Sequence, residues 1–285
     1  MSDETLQALE LVLNRNFSEL SIDLPTNRKV MWREAGVSNS GDAIVLLHGI
    51  SSGSASWLAV AKLLAANHRV LAWDAPGYGK SSPLPMQAPT DADYAQDLDD
   101  SLKALRVDRC ALVGHSLGAL VAAAYARQSR GASVTQLILL SPAGGYGAPG
   151  KEEQQSKVRT SRQQSLLNEG IEGLAAKIDH RLLSGAASET SRHWVRWNCG
   201  RLNPEGFLQA VELLCSSDLG ASSGLLGMPI EIWVGEHDVV TPPMNCKSWA
   251  QRLGARFGLI GDCGHACSIE QPQRVANVIS NALSS

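Results

Sequence analysis

No apolar run in this 285-residue chain approaches the roughly 18–20 residues that a bilayer-spanning helix requires. No block of lysine or arginine suggests a membrane surface. Basic charge is not in excess either: 25 Lys+Arg stand against 28 Asp+Glu, a net charge of −3, which leaves no electrostatic footprint for nucleic acid. Cysteine is sparse. Six residues, at 110, 199, 215, 246, 263 and 267, are too few for a disulfide scaffold of this length and agree with a reducing compartment. The opening Met1-Ser2-Asp3-Glu4 is acidic where a secretory signal is basic, so a cytoplasmic location is expected. Repeats, low-complexity tracts and long charge runs are missing as well. What is present is an ordinary soluble composition, long enough to bury a sizeable core as one large α/β domain or as a core with an insertion.

Hydrophobic periodicity supplies the organisation. Residues 5–13 have the spacing of a short amphipathic helix, and Arg28–Glu34 reads as a strand. Ala43-Ile-Val-Leu-Leu47 is a continuous apolar run that ends at His48-Gly49, as expected of a strand buried on both faces. Trp57–Ala66 is helical, Arg69–Asp74 is a second buried strand, and Thr90–Leu105 is a helix with Thr90 as its cap. The pattern repeats in Cys110–Val113, Ala119–Gln128 and Gln136–Ser141. It resumes in Ile230–Val234, Pro243–Leu253, Ala255–Ile260 and Pro272–Leu283. Strands alternating with helices imply an α/β fold with a mostly parallel, doubly wound sheet covered on both faces.

One stretch breaks the alternation. Residues 143–227 contain no convincing strand, only helical segments near Ser156–Asn168, Ile171–Leu183, Glu189–Cys199 and Pro204–Leu214. They are expected to form a helical cap inserted into a core made of residues 1–142 and 228–285. Basic and acidic residues cancel within this stretch, so a solvated helix surface is favoured over an anion site.

Chemistry concentrates at three strand ends. Gly114-His-Ser-Leu-Gly118 lies between a strand and a helix, where a sharp turn projects the Ser116 hydroxyl beside a helix N-terminus. A serine hydroxyl is a weak nucleophile without a base. His265, after the last buried strand, is the candidate base. Gly235-Glu-His-Asp238 follows another strand, and its Asp238 is the candidate orienting carboxylate, with Glu236 and Asp262 as nearby alternatives. The chain order is therefore Ser116, Asp238, His265.

Together these segments resemble an α/β-hydrolase with a helical cap. The resemblance is carried by Leu47-His48-Gly49, Asp74-Ala-Pro-Gly-Tyr-Gly-Lys-Ser81, Gly114–Gly118, Gly235-Glu-His-Asp238 with Pro242, and Gly264-His265 followed by Glu270-Gln-Pro272. It implies a Ser–His–Asp hydrolase whose oxyanion hole is formed by the amides of Leu117 and Ile50. Within that family, a serine nucleophile disfavours the haloalkane dehalogenase and epoxide hydrolase branches. Meta-cleavage-product hydrolases tend to carry asparagine before the serine and tryptophan after the histidine, where this chain has His115 and Ala266. Enol-lactonases share the Glu-Gln-Pro tail but usually lack the His-Gly pair. A carboxylic ester of a small or medium acyl substrate is the first expectation. Hydrolysis of an aromatic-degradation intermediate (a C–C bond or an enol-lactone) is the alternative, and a non-catalytic ligand receptor on the same fold is the rival from another class.

Other residues invite plainer readings. His48 is expected to shape the loop before Ile50, His115 and His237 to be structural, and Asp74 to brace its loop. Trp194 and Trp197, three residues apart, are candidates for lining a substrate pocket, with packing of the cap on the core as the equal alternative. Cys263-Gly-His265-Ala-Cys267 matches no common zinc spacing, and Gly79-Lys80-Ser81 lacks the earlier glycine of a phosphate loop, so no metal or cofactor is expected. The expected partner is a small-molecule substrate, with neither nucleic acid nor membrane, and a homodimer is left open.

Overall fold

The computed structural model describes residues 3–25, 27–37, 42–128 and 131–284, with side chains from residue 6 onward. Eight strands form one sheet: β1 (Ser18–Asp23), β2 (Lys29–Ala35), β3 (Ala43–Leu47), β4 (Val70–Trp73), β5 (Arg109–His115), β6 (Ser133–Leu140), β7 (Ile230–Gly235) and β8 (Arg256–Ile260). Their order is β1-β2-β4-β3-β5-β6-β7-β8. The β1–β2 and β2–β4 pairs are antiparallel, and every later pairing is parallel.

The period of two along the central strands sorts their side chains to two cores. Val45, Leu47, Leu71, Trp73, Leu112, Leu137 and Leu139 face one core. Helices α3 (Asp91–Ala104) and α4 (Leu117–Arg127) cover it through residues such as Leu98 and Leu120. Ile44, Leu46, Val70, Ala72, Val113, Ile138 and Leu140 face the other. That face is covered by α1 (Asp3–Asn16) and α2 (Leu58–Leu64), together with the C-terminal helix Pro272–Leu283. Burial on both faces is why these strands read as unbroken apolar runs. Thr90 caps α3 in a capping box with Asp93, which also brings negative charge to the helix N-terminus.

Strand β1 has no counterpart in the hydrophobic pattern. Its sequence, Ser-Glu-Leu-Ser-Ile-Asp, has four polar residues of six and is mostly exposed, because it pairs on one side only and closes the sheet edge. Between β6 and β7 the chain is helical: α5 (Glu152–Lys177), α6 (Asp179–Leu182), α7 (Glu189–Gly200) and α8 (Pro204–Ser216). Helix α5 breaks at Gly170, whose φ of 64° and ψ of −178° lie outside the helical region. Gly170 thus separates two helical stretches at the break expected between Asn168 and Ile171. Helix α9 (Pro243–Leu253) joins β7 to β8, and the short α10 (Cys267–Glu270) precedes α11 (Pro272–Leu283). Among the described residues no helix is long and apolar enough to cross a membrane.

Candidate active site

The C-terminal ends of β3, β5, β7 and β8 deliver the candidate residues to one place. Ser116 ends β5 and opens α4 with φ 53° and ψ −112°, a conformation that costs a non-glycine residue of order 1–3 kcal/mol. Its amide donates to the Leu140 carbonyl (3.0 Å), and its carbonyl accepts from Ala119 and Ala143 (3.1 Å each), so the strained turn is held on both sides. The flanking glycines are needed for packing. A Cβ on Gly114 would sit 2.6 Å from the Gly118 carbonyl oxygen, and one on Gly118 would sit 2.6 Å from that of Leu47.

His265 and Asp238 form a buried pair. His265 Nδ1 lies 2.8 Å from Asp238 Oδ2, with both side chains almost wholly removed from solvent. The other carboxylate oxygen of Asp238 accepts the Val240 and Thr241 amides at 2.8 and 2.9 Å. Burial alone would raise the Asp238 carboxyl. The hydrogen bond and charge of His265, aided by the Thr241 amide, overcome it and hold the group at about 2. An ionised carboxylate at Nδ1 requires the imidazole proton on that nitrogen, leaving Nε2 of the neutral ring as an acceptor. Glu236 and Asp262, the alternative acids, are exposed and stand together with His237, ligating atoms within 4.8 Å of one another. Neither contacts the His265 ring; Asp262 pairs with Arg274 instead.

Ser116, His265, Ile50 and Leu117 line one cavity of about 400 Å³. Among the described residues neither the Ile50 nor the Leu117 amide has a protein acceptor. His48 fixes the first of these. Its Nδ1 donates to the Gly49 carbonyl at 2.8 Å, and its Nε2 accepts the Ala75 amide at 3.0 Å. The Gly49 carbonyl and the Ile50 N–H belong to one planar peptide unit, so holding the former aims the latter. Tyr78 Oη donates to the Ile50 carbonyl at 2.8 Å, and Asp74 braces the adjoining loop by accepting the Ser54 amide at 2.7 Å. Burial lowers the His48 imidazole, which keeps it neutral in this role.

Four further residues, of which Thr241 and Ser184 had no signal in the sequence reading, complete the surroundings. Thr241 Oγ1 lies 2.9 Å from Asp238 Oδ2 and 3.1 Å from the Ser141 carbonyl, bridging the acid to the end of β6. Glu270 and Ser184 clamp the His265 loop from the outside. His115, expected to be structural, packs its ring 4.8 Å from that of His265 and donates from Nε2 to the His265 carbonyl at 2.8 Å. Burial, with the neighbouring His265 charge, pushes the His115 imidazole down to about 3. Proximity to Ser116 in sequence was the only signal for it; the contact with residue 265 is a product of the fold.

The tryptophan pair requires a correction. Trp194 and Trp197 stack with ring centroids 4.5 Å apart and planes 7° from parallel, but neither lines the cavity beside Ser116. Trp194 packs into the core with Leu13 and Trp57, and Trp197 Nε1 donates to Glu10 of α1. A spacing of three puts two side chains on one helix face without saying which neighbour that face meets; here it meets α1 and the core. The Cys263–Cys267 pair also lies inside the protein. Both thiols donate to the Gly264 carbonyl at 3.4 Å, and a hydrogen bond with Cys267, then burial, push the Cys263 thiol far up.

Comparison with known proteins gives a family. The model described as the alpha/beta hydrolase family matches residues 44–278. The solved structure of a thermophilic esterase from Thermogutta terrifontis superposes with a TM-score of 0.82 at 25% identity, covering 93% of this chain and 98% of that one. The enol-lactonase from Burkholderia xenovorans LB400 superposes with a TM-score of 0.81 at 21% identity, covering 93% and 100%, and at that identity it speaks for the fold alone. Monoacylglycerol lipase abhd6-B of Xenopus laevis is 23% identical over 277 residues, 91% of this chain and 80% of that protein. The chain also spans 31% of an uncharacterized Mycobacterium tuberculosis protein, to which it is 40% identical over 108 residues.

Proposed function

The chain belongs to the alpha/beta hydrolase family, and on that premise we propose that it is a serine hydrolase cleaving a carboxylic ester of a small or medium acyl substrate through an acyl-enzyme. The observation that carries this reading is that His265, held by the buried Asp238 at 2.8 Å, lines the same cavity as the strained Ser116. Residues 143–227 would act as a cap over a core made of 1–142 and 228–285.

In this mechanism His265 Nε2 takes the Ser116 proton as Oγ attacks the ester carbonyl carbon. Asp238 holds the ring by Nδ1 and stabilises the imidazolium that forms. The carbonyl oxygen gains charge between the Ile50 and Leu117 amides, at the positive end of α4; one such donor is typically worth about 2.7–4 kcal/mol. His265 then gives its proton to the leaving alcohol. Water, deprotonated by the same nitrogen, attacks the acyl-enzyme and returns Ser116 to its starting state.

Two features support an enzyme over a ligand receptor on the same fold. The backbone strain at Ser116 needs over-determined support, which a binding module would have no reason to maintain. Two unpaired amides beside that serine suit a developing oxyanion. Steady-state hydrolysis of p-nitrophenyl butyrate tests the reading. The wild type is expected to turn over and Ser116→Ala to lose that turnover; equal rates in the two proteins would defeat the assignment.

A further inference from the structure

Among the described residues, four cations and no carboxylate line the cavity beside Ser116. Lys151 precedes α5, while Arg162 belongs to α5, Arg181 to α6 and Arg252 to α9. Among the described residues none of the four has a carboxylate within ion-pair distance, whereas several acids of the helical segment pair with other cations. Glu153 meets Lys157, Glu169 meets Lys177, Asp179 meets Arg192 and Arg196, and Glu212 meets Arg159. Charges that cancel along the sequence are therefore sorted in space, with unpaired cations toward the cavity.

Arg162 and Arg181 occupy the decisive place. Both also line an adjoining cavity of about 640 Å³, whose wall among the described residues again holds no carboxylate. Burial, followed by the like charge of Arg181, pulls the Arg162 guanidinium below its usual value. Arg162 is partly buried and Arg181 exposed, and their like charges repel with no carboxylate among the described residues to offset them. An anion between them removes that penalty, and their planar forks can each offer paired N–H donors to carboxylate or phosphate oxygens. Lys151 Nζ lies 3.4 Å from the Gly145 carbonyl, and Arg252 lies 4.7 Å over the Trp249 ring, so both reinforce the positive field.

We propose that the substrate carries, apart from the ester cleaved at Ser116, an anionic oxygen group (carboxylate or phosphate) held by Arg162 and Arg181 where the two cavities meet. The proposal deepens the hydrolase reading and rests on it for the place of the ester. A half-ester of a dicarboxylic acid, or an acyl ester bearing a phosphate, is the fitting substrate class.

Equilibrium binding to the Ser116→Ala protein, followed by ligand-observed NMR, tests the proposal without turnover. The probes are monobenzyl glutarate, its neutral isostere benzyl pentanoate, and benzyl 4-phosphonobutanoate. At least one charged ester is expected to bind about ten-fold or more tightly than the neutral one, a preference that shrinks as salt is added. The tighter of the two charged probes identifies the anion. Adding Arg162→Gln and Arg181→Gln together is expected to abolish the preference. Arg181→Gln alone, at an exposed position, is expected to reduce it about three-fold and keeps the test decisive if the paired variant does not fold. Equal binding of charged and neutral esters, or a preference unchanged by Arg181→Gln, overturns the proposal. Because the tested protein lacks the serine, that failure is distinct from failure of the hydrolase reading, which turnover of a neutral ester by the wild type decides.

Discussion

Glu270 holds Ser184 across 86 positions of sequence: its two carboxylate oxygens accept the Ser184 amide at 3.2 and 3.1 Å, and one also accepts the Ser184 hydroxyl. The same carboxylate accepts the Gly264 amide at 2.9 Å. One acidic side chain therefore ties the end of α6, in the helical segment, to the residue before His265. Together with the Ala266 amide, which donates to the Leu182 carbonyl at 2.8 Å, Glu270 ties the loop that presents the imidazole to α6.

Glu270→Gln removes the charge from these hydrogen bonds and turns an amide donor toward other donors. Charge-assisted bonds of this kind are worth about 1.5–3 kcal/mol each. Thermal unfolding of the variant should show a Tm several degrees lower, with kcat reduced as His265 loses its fixed position. An unchanged Tm would show that the clamp contributes nothing.

Asp238→Asn should leave the fold intact and lower kcat by about 10³–10⁴-fold, because an amide no longer fixes the imidazole tautomer. Glu236→Gln and Asp262→Asn, at exposed positions that do not touch the His265 ring, should stay near the wild-type rate. A large loss in either of these, with Asp238→Asn active, would transfer the role of the acid.

His48→Phe keeps a buried ring but loses both hydrogen bonds that orient the Gly49–Ile50 peptide. If the Ile50 amide stabilises the oxyanion, kcat should fall by about ten-fold or more with KM little changed, since the donor acts on charge that appears only in the transition state. A rise in KM at constant kcat would assign the loop to substrate binding instead.

Acid stability should follow His115. Its folded value of about 3 lies below the usual 6.5, so between these two values the unfolded chain binds a proton that the folded protein refuses. Its contribution is complete above pH 6.5 and declines as pH falls toward 3, at up to about 1.4 kcal/mol per pH unit. Asp238, held at about 2 against 3.8, adds a second loss at still lower pH, in the same direction. Urea unfolding of His115→Gln between pH 7 and 4 should show a shallower decline than the wild type. Parallel curves would remove His115 from the account.

The legible parts of this protein were those set by local pattern. Ser116 could be read because a buried strand, a glycine-flanked serine and a small-residue helix follow one another without interruption. Asp238 and His265 could be placed because each follows an apolar strand that ends at the same sheet edge. Strand β1 was hidden because an edge strand with polar alternation resembles a loop until its partner is known. The tryptophans misled because helical spacing fixes a shared face and leaves its neighbour open. Thr241, Glu270 and the role of His115 depend on contacts between segments far apart in sequence, which no local pattern encodes. The charge count over 143–227 is silent on the cavity: equal numbers of acids and bases say nothing about which of them pair and which line it.

The central claim is that Ser116 is a nucleophile activated by His265. Intact-mass measurement after exposure to a fluorophosphonate, with peptide mapping of the adduct, tests it most directly. The account predicts one adduct per chain on Ser116 in the wild type, slow or absent labelling in His265→Ala, and none in Ser116→Ala. A wild-type protein that acquires no adduct, or one modified at another residue while Ser116 stays free, would contradict it.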